Sequence, residues 1–407
     1  MSFALHRGAR RRPAIAGLLA AVATTLLAIA PSAQAAKGME VSLQDESVFT
    51  NRTTPFDLAS AYTLLDGLQV SRMRFNAQWG SLNAQCNSRT KPRKPKYDFS
   101  ALDAAINGAR AQRIKILLTV TGPAPAWANG KKKCEGKKND FNPNPTEFGK
   151  YAKEVARHFQ GRVDEFSVWN EPNRKGWLEP VNTSGTQYRK LYLEGYKAIK
   201  SVDKKAKVFI GELAPFSRAK TQAQDPLDFL RQLTCTNGRF KPLRGKRCPT
   251  LRADGFAHHP YDFDRRPTQK YPSKDAVTIA NLGSLTSALD KLKRVKRLVP
   301  NKGSKMDLQL TEYGYFASTT STRSKVFREP TRAKYLVKAF QIAQKNPRVK
   351  QMMHFLLVQY PGAGTTAASF NFDTSLVKLD GTPLGAYTAL SDWATAAAQK
   401  GQIKPAP

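Results

Sequence analysis

Acidic residues are scarce in this chain: 31 aspartates and glutamates stand against 66 lysines and arginines in 407 residues, a formal net charge of +35. Cysteine and histidine are scarcer still, at four and five. No pair of them has metal-ligand spacing, which argues against a structural zinc site and leaves the cysteines to be read as disulfides. Beyond the first 35 residues no apolar run approaches the roughly 20 residues that span a bilayer, so no stable membrane anchor is expected there. Nothing resembles a nucleic-acid-binding module, and the basic residues are spread over the whole chain. So basic a field suits electrostatic association with anionic cell-wall polymers, while its even spread equally fits a generally basic surface with no dedicated partner; no specific nucleic-acid partner is expected.

What is present begins with a leader. Arg7, Arg10, Arg11 and Arg12 precede an apolar stretch from Ala14 to Ala30, and Ala33-Gln34-Ala35 has the small-x-small form of a signal-peptidase site. Residues 1–35 are therefore predicted to be an export signal, and 36–407 one secreted domain, monomeric and possessing no cofactor. In an oxidising compartment the four cysteines admit three pairings. The preferred one joins Cys235 with Cys248, close in sequence, and Cys86 with Cys134, which would tie together two consecutive long loops.

Strand-like and helix-like segments alternate along the remainder, the pattern of a parallel sheet with helical crossovers. Strands are predicted at 39–43, 69–75, 113–120, 163–169, 207–212, 254–259, 306–311 and 351–358. Eight such strands predict a single (β/α)8 TIM barrel with extended loops at its catalytic face. Helices are expected at 101–111, 146–159, 281–299 and 384–398; the third shows an apolar stripe at Leu282, Leu285, Leu289, Leu292, Val295 and Val299.

In such a barrel, functional groups sit where strands end. Just beyond two of the predicted strands stands a glutamate: Phe166-Ser167-Val168-Trp169-Asn170-Glu171-Pro172-Asn173 and Leu308-Gln309-Leu310-Thr311-Glu312-Tyr313-Gly314. A carboxylate directly after an apolar strand is costly to bury unless it is bonded, paired or used. Cleavage of a glycosidic bond needs two, one to protonate the leaving oxygen and one to attack or to activate water. The fourth and seventh strands face each other across an eight-stranded barrel, which suits that geometry. Asn170 and a partly apolar wall are expected to keep Glu171 protonated, and arginine and tyrosine donors to keep Glu312 ionised.

Trp169-Asn170-Glu171-Pro172-Asn173 and Thr311-Glu312-Tyr313-Gly314 resemble the acid/base and nucleophile motifs of the retaining clan A glycoside hydrolases, families 39 and 5 in particular. Arg74-Phe75-Asn76-Ala77-Gln78-Trp79 resembles their second-strand segment, whose arginine supports the nucleophile. His259-Pro260-Tyr261 resembles their sixth-strand segment, whose tyrosine bonds it. The resemblance implies a retaining O-glycosidase acting on β-linked polysaccharide or oligosaccharide, with Glu171 as acid/base, Glu312 as nucleophile and Asn170 on the sugar hydroxyl beside the anomeric carbon. Trp79, Trp127, Trp177, Tyr315 and Tyr360, all near strand ends, are candidate stacking platforms for sugar rings, Tyr360 standing where many clan members carry a tryptophan. His258 is read as either core or ligand contact, His158 and His354 as structural. The alternative is a barrel that binds wall glycans without cleaving them.

Overall fold

The computed structural model describes residues 38–131, 140–245, 248–317, 326–362 and 372–407. Its barrel strands are β1 (Glu40–Gln44), β2 (Val70–Gln78), β3 (Lys115–Thr121), β4 (Glu165–Val168), β5 (Lys207–Leu213), β7 (Gly255–His258), β9 (Leu308–Leu310) and β10 (Val349–Phe355). They close in the order β1-β10-β9-β7-β5-β4-β3-β2, every ladder parallel. A side pair, β6 (Leu251–Ala253) with β8 (Leu298–Pro300), lies outside the barrel. The helices are α1 (Glu46–Phe49), α2 (Leu58–Gly67), α3 (Ser100–Ala111), α4 (Pro145–His158), α5 (Ser184–Val202), α6 (Pro226–Thr234), α7 (Leu282–Arg294), α8 (Glu329–Lys345) and α9 (Gly385–Gln399). The fold is a (β/α)8 barrel. None of the described helices is long and apolar enough to cross a membrane.

Local chemistry accounts for the element ends. Asn144 caps α4, its side chain accepting from Glu147 N at 3.1 Å, with Pro145 in the first turn where its missing N–H costs nothing. The predicted helix 281–299 is shorter than its apolar stripe. It ends at Arg294, because Lys296 adopts a left-handed φ of 54°, and Val299 belongs instead to β8. Cys235, left-handed at the end of α6, is bonded to Cys248. Cys86 is also disulfide-bonded; Cys134, its predicted partner, lies outside the described residues, as do residues 1–35, predicted to be an export signal.

Inside the barrel, polar and apolar layers alternate. At the amino ends of the strands, buried Arg72 pairs with Glu40 at 2.7 Å and Glu165 at 3.2 Å, and Lys207 reaches Glu165 at 2.8 Å. Above them Leu117, Phe209, Ala257 and Met353 form a small apolar layer. Two residues further along β2 and β3, Arg74 and Thr119 open the polar network of the mouth. The apolar layer keeps the two charge networks apart, so each must be satisfied by its own partners.

Candidate active site

Three carboxylates reach the mouth by three local devices. After β4, Trp169 and Glu171 take positive φ values of 69° and 38°, which turn the chain inward. Such backbone costs on the order of 1–3 kcal/mol per residue and persists only where neighbours over-determine it. Here Trp169 N donates to Val120 O at 2.8 Å, Glu171 N to Glu212 O at 2.9 Å, and the Asn173 amide bonds both Ala214 N and Ala214 O. Glu212 is the extra residue of a β-bulge: Gly211 pairs with Ala257 and Leu213 with His258, leaving Glu212 between them at φ 53°. A Cβ on Gly211 (φ 122°) would stand 2.3 Å from Ala257 O, so only glycine fits. Glu312 follows β9, whose end is held by Thr311 N donating to His258 O at 3.0 Å.

Arg74 and His259 bind these carboxylates together. The fully buried Arg74 guanidinium donates to Glu312 Oε1 at 2.7 Å, Gln44 Oε1 at 2.5 Å, Asn170 Oδ1 at 2.6 Å and Thr119 Oγ1 at 2.8 Å, and lies 3.4 Å from Glu212. His259 Nε2 is 2.8 Å from Glu212, and its Nδ1 is 3.3 Å from Glu171 and 3.5 Å from Glu312. With carboxylates on both ring nitrogens, both nitrogens donate and the ring is an imidazolium. Burial opposes that charge, but Glu312, Glu171 and Glu212 together push its pKa up to about 9. Tyr261 OH donates to Glu312 Oε2 at 3.3 Å; burial and the Glu312 charge hold this phenol well above its ordinary pKa, so it remains a donor. One oxygen each of Glu171 and Glu312 and a nitrogen of His259 all lie within 4.8 Å of one another. That spacing would admit a cation, but Arg74, Arg174 and the imidazolium surround it with positive charge, which opposes one.

The protonation expected of Glu171 is corrected. Burial does push its pKa up, as anticipated from the sequence, yet Arg174 at 3.1 Å and His259 outweigh burial and hold it down at about 2. In the free protein those two cations favour the carboxylate form of Glu171.

The mouth opens into a cleft of about 1230 Å³. Asn170, Glu171, Tyr261, Glu312, Trp177 and Tyr360 line it; Arg74 and His259 lie beneath its floor. Trp79, Trp127 and Tyr315 do not line it, which corrects their reading as platforms. Trp79 is fully buried, stacked on Tyr151 and edge-on to Trp127 and Phe148; Tyr315 donates to Arg265 O and packs on Phe327 and Tyr335. The last strand ends at Phe355, three residues before its predicted end, so Phe355 and Leu356 hold the strand-end position on the cleft and Tyr360 stands beyond them. His258 and His354 are buried on backbone carbonyls and His158 pairs with Asp103. The basic stretch from Lys91 to Lys96 does not line the cleft.

The sequence reading missed several groups here. Glu212 carried the same signal as its two partners, an apolar strand running into a carboxylate. Gln44 ends β1 and Glu46 opens α1; Glu46 accepts from Gln44 at 2.9 Å and Asn76 at 2.7 Å. Arg174, three residues after Glu171, and Lys175 and Arg218 had no signal beyond being basic in a basic chain.

A parallel (β/α)8 barrel that sets two glutamates from opposite strands across its mouth, over a buried arginine, histidine and tyrosine, defines a glycoside-hydrolase barrel. The sequence pattern of the glycosyl hydrolases family 39 matches residues 68–391, and the chain belongs to that family, which is one of the retaining clan A. No curated protein sequence matches the chain. Similar solved structures include a family 39 glycoside hydrolase from Bacteroides cellulosilyticus WH2 (15% identity, 88% of this chain and 64% of that one, TM-score 0.61). A monomeric beta-xylosidase from Caulobacter crescentus CB15 gives 18% identity, 88% and 69% coverage and TM-score 0.55. Virulence factor SghA from Agrobacterium tumefaciens gives 14% identity, 88% and 97% coverage and TM-score 0.55. The chain thus spans less than two thirds of the first of these.

Proposed function

We propose that this protein is a retaining O-glycoside hydrolase of β-linked polysaccharide or oligosaccharide, with Glu312 as nucleophile and Glu171 as acid/base. The observation that carries this reading is the approach of the two carboxylates across the mouth to within 4.8 Å, close to the roughly 5–5.5 Å of double displacement. Glu171 takes up a proton in the substrate complex; Glu312 Oε then attacks the anomeric carbon while the bond to the leaving oxygen breaks and that oxygen takes the Glu171 proton. Water then gives its proton to Glu171, its oxygen attacks the anomeric carbon and Glu312 departs. Arg74 and Tyr261 orient Glu312 and steady its returning charge. Because Asn170 accepts from Arg74 through Oδ1, its Nδ2 is left to donate to a sugar hydroxyl. The similarity to a beta-xylosidase makes β-xylosides the first substrates to try. The cysteine pairing and the arginine-led apolar leader support action outside the cytoplasm, as a monomer held near anionic wall polymers by its charge.

The test is nucleophile rescue. Glu312→Gly should abolish hydrolysis of aryl β-glycosides and regain it with azide to give the α-glycosyl azide. Glu171→Ala should instead give the β-glycosyl azide on substrates with good leaving groups. Parent-like turnover by both variants would remove the assignment, and glycan binding by the parent with no turnover would favour the non-catalytic barrel.

A further inference from the structure

The two ends of the cleft differ in charge. On the β1–β2 side stands Glu46, its carboxylate already bonded by Gln44 and Asn76, with Asp45 beside it. On the side beyond Glu171 the lining carries Arg174, Lys175 and Arg218. Arg218 rests its guanidinium 5.7 Å from the Phe216 ring, which stacks on Tyr271 at 4.1 Å, and its ion pair with Asp264 is loose at 3.8 Å. Lys175 has no salt bridge among the described residues, and Arg174 is half exposed, 51% against 8% for the Glu171 side chain it touches. The backbone fixes this rim: Lys175 N donates to Gln222 O at 2.8 Å and Arg174 bridges to Ala223.

If Glu171 protonates the leaving oxygen, the departing sugar must lie beyond Glu171, on the basic side. We propose, building on the function assigned above, that the leaving-group side of the cleft takes an anionic sugar unit, whose charge draws Arg174 off Glu171. The opposite side suits a neutral glycone, because an acidic sugar there would meet Glu46. The arrangement also answers a difficulty of the free protein, in which the acid is ionised. Glu171 faces Arg174 from its own loop, His259 and Tyr261 from the loop after β7, and Glu312 from the loop after β9; of the cations, only Arg174 is exposed enough to change partner. Once Arg174 turns to the ligand, burial of Glu171 is opposed by His259 alone, and the carboxyl moves towards its protonated form. The anion could be a uronate or a sulfated sugar, since Arg and Lys accept either.

The experiment measures binding to the Glu312→Gln protein by calorimetry, so that it does not depend on turnover. The probes are disaccharides with a β-linked xylosyl or glucosyl glycone on glucose, on glucuronate and on glucose bearing a sulfate at its sixth carbon. At least one anionic probe should bind about tenfold or more tightly than its neutral counterpart, and should take up a larger fraction of a proton near pH 5. Lys175→Gln and Arg218→Gln should bring the anionic-to-neutral ratio towards one, while Lys175→Arg and Arg218→Lys should keep it. Preference for carboxylate or for sulfate identifies which source of charge is used. A ratio near one in the parent background, a ratio unchanged by the neutral substitutions, or equal proton uptake for all probes would overturn the proposal. Absence of any hydrolysis by the native protein alongside an intact binding ratio would sink the function proposed above, and with it the leaving-group role, while the preference of the basic end for an anionic sugar would stand.

Discussion

His259 gives the sharpest quantitative test of the network beneath the cleft. Its ordinary pKa of 6.5 rises to about 9 because burial, which opposes its charge, is outweighed by Glu312, Glu171 and Glu212. A group raised on folding contributes stability that is fully present below the unfolded value and lost as pH climbs through the folded one. The interval from 6.5 to about 9, at about 1.4 kcal/mol per pH unit, corresponds to about 3 kcal/mol, present below about pH 6.5 and gone above about pH 9. The perturbation is Glu212→Gln, which keeps the shape of the nearest partner at 2.8 Å and removes its charge. The variant should be less stable than the parent by about 2 kcal/mol near neutral pH, the value of a charged hydrogen bond, and should lose less on the alkaline side. On the acid side the sign reverses. Glu212 itself, raised by burial but lowered further by Arg74 and His259 to about 2, supplies stability above its ordinary 4.5 that fades as pH falls towards 2, and only the parent should show that loss. Urea unfolding across this pH range measures both. Parallel stability–pH curves for the two proteins would refute the charged state of His259.

Three further outcomes follow from named contacts. Tyr261→Phe removes a 3.3 Å donor to Glu312 and should lower kcat/KM by about 10–100-fold with the fold intact, measured on an aryl β-glycoside. Gly211→Ala places a methyl group 2.3 Å from Ala257 O at φ 122° and should displace the Glu212 bulge, giving a loss of several kcal/mol or insoluble protein; parent-like melting would argue against the bulge geometry. Cys235→Ser opens a disulfide with a sequence separation of 13 and should cost about 2–3 kcal/mol in chemical denaturation.

The strand count and both catalytic candidates were legible because they rest on short-range signals. An apolar run such as Ile116–Val120 has nowhere to go except a strand covered on both faces, and a glutamate at the end of one needs partners. The same rule applied to Ile210-Gly211-Glu212 would have exposed the third carboxylate, but its inward aim depends on a bulge, which is a relation between two strands. The aromatic platforms failed for a similar reason. Trp79 and Trp127 lie near strand ends, yet which rings face the cleft and which pack against Phe148 and Tyr151 is decided by α4 closing over them. The end of the final strand was placed three residues too late because Leu356, Leu357 and Val358 are as apolar as the strand they follow.

By itself the sequence determined the layered alternation, the eight strands and the two motifs, since hydrophobic periodicity and a charged residue at a strand end act within a few residues of chain. Only the tertiary structure decided the ionisation of Glu171. That state depends on Arg174 and on His259, which lies 88 positions away in the chain, meeting one carboxylate in a buried space where a charge within a few ångströms outweighs desolvation.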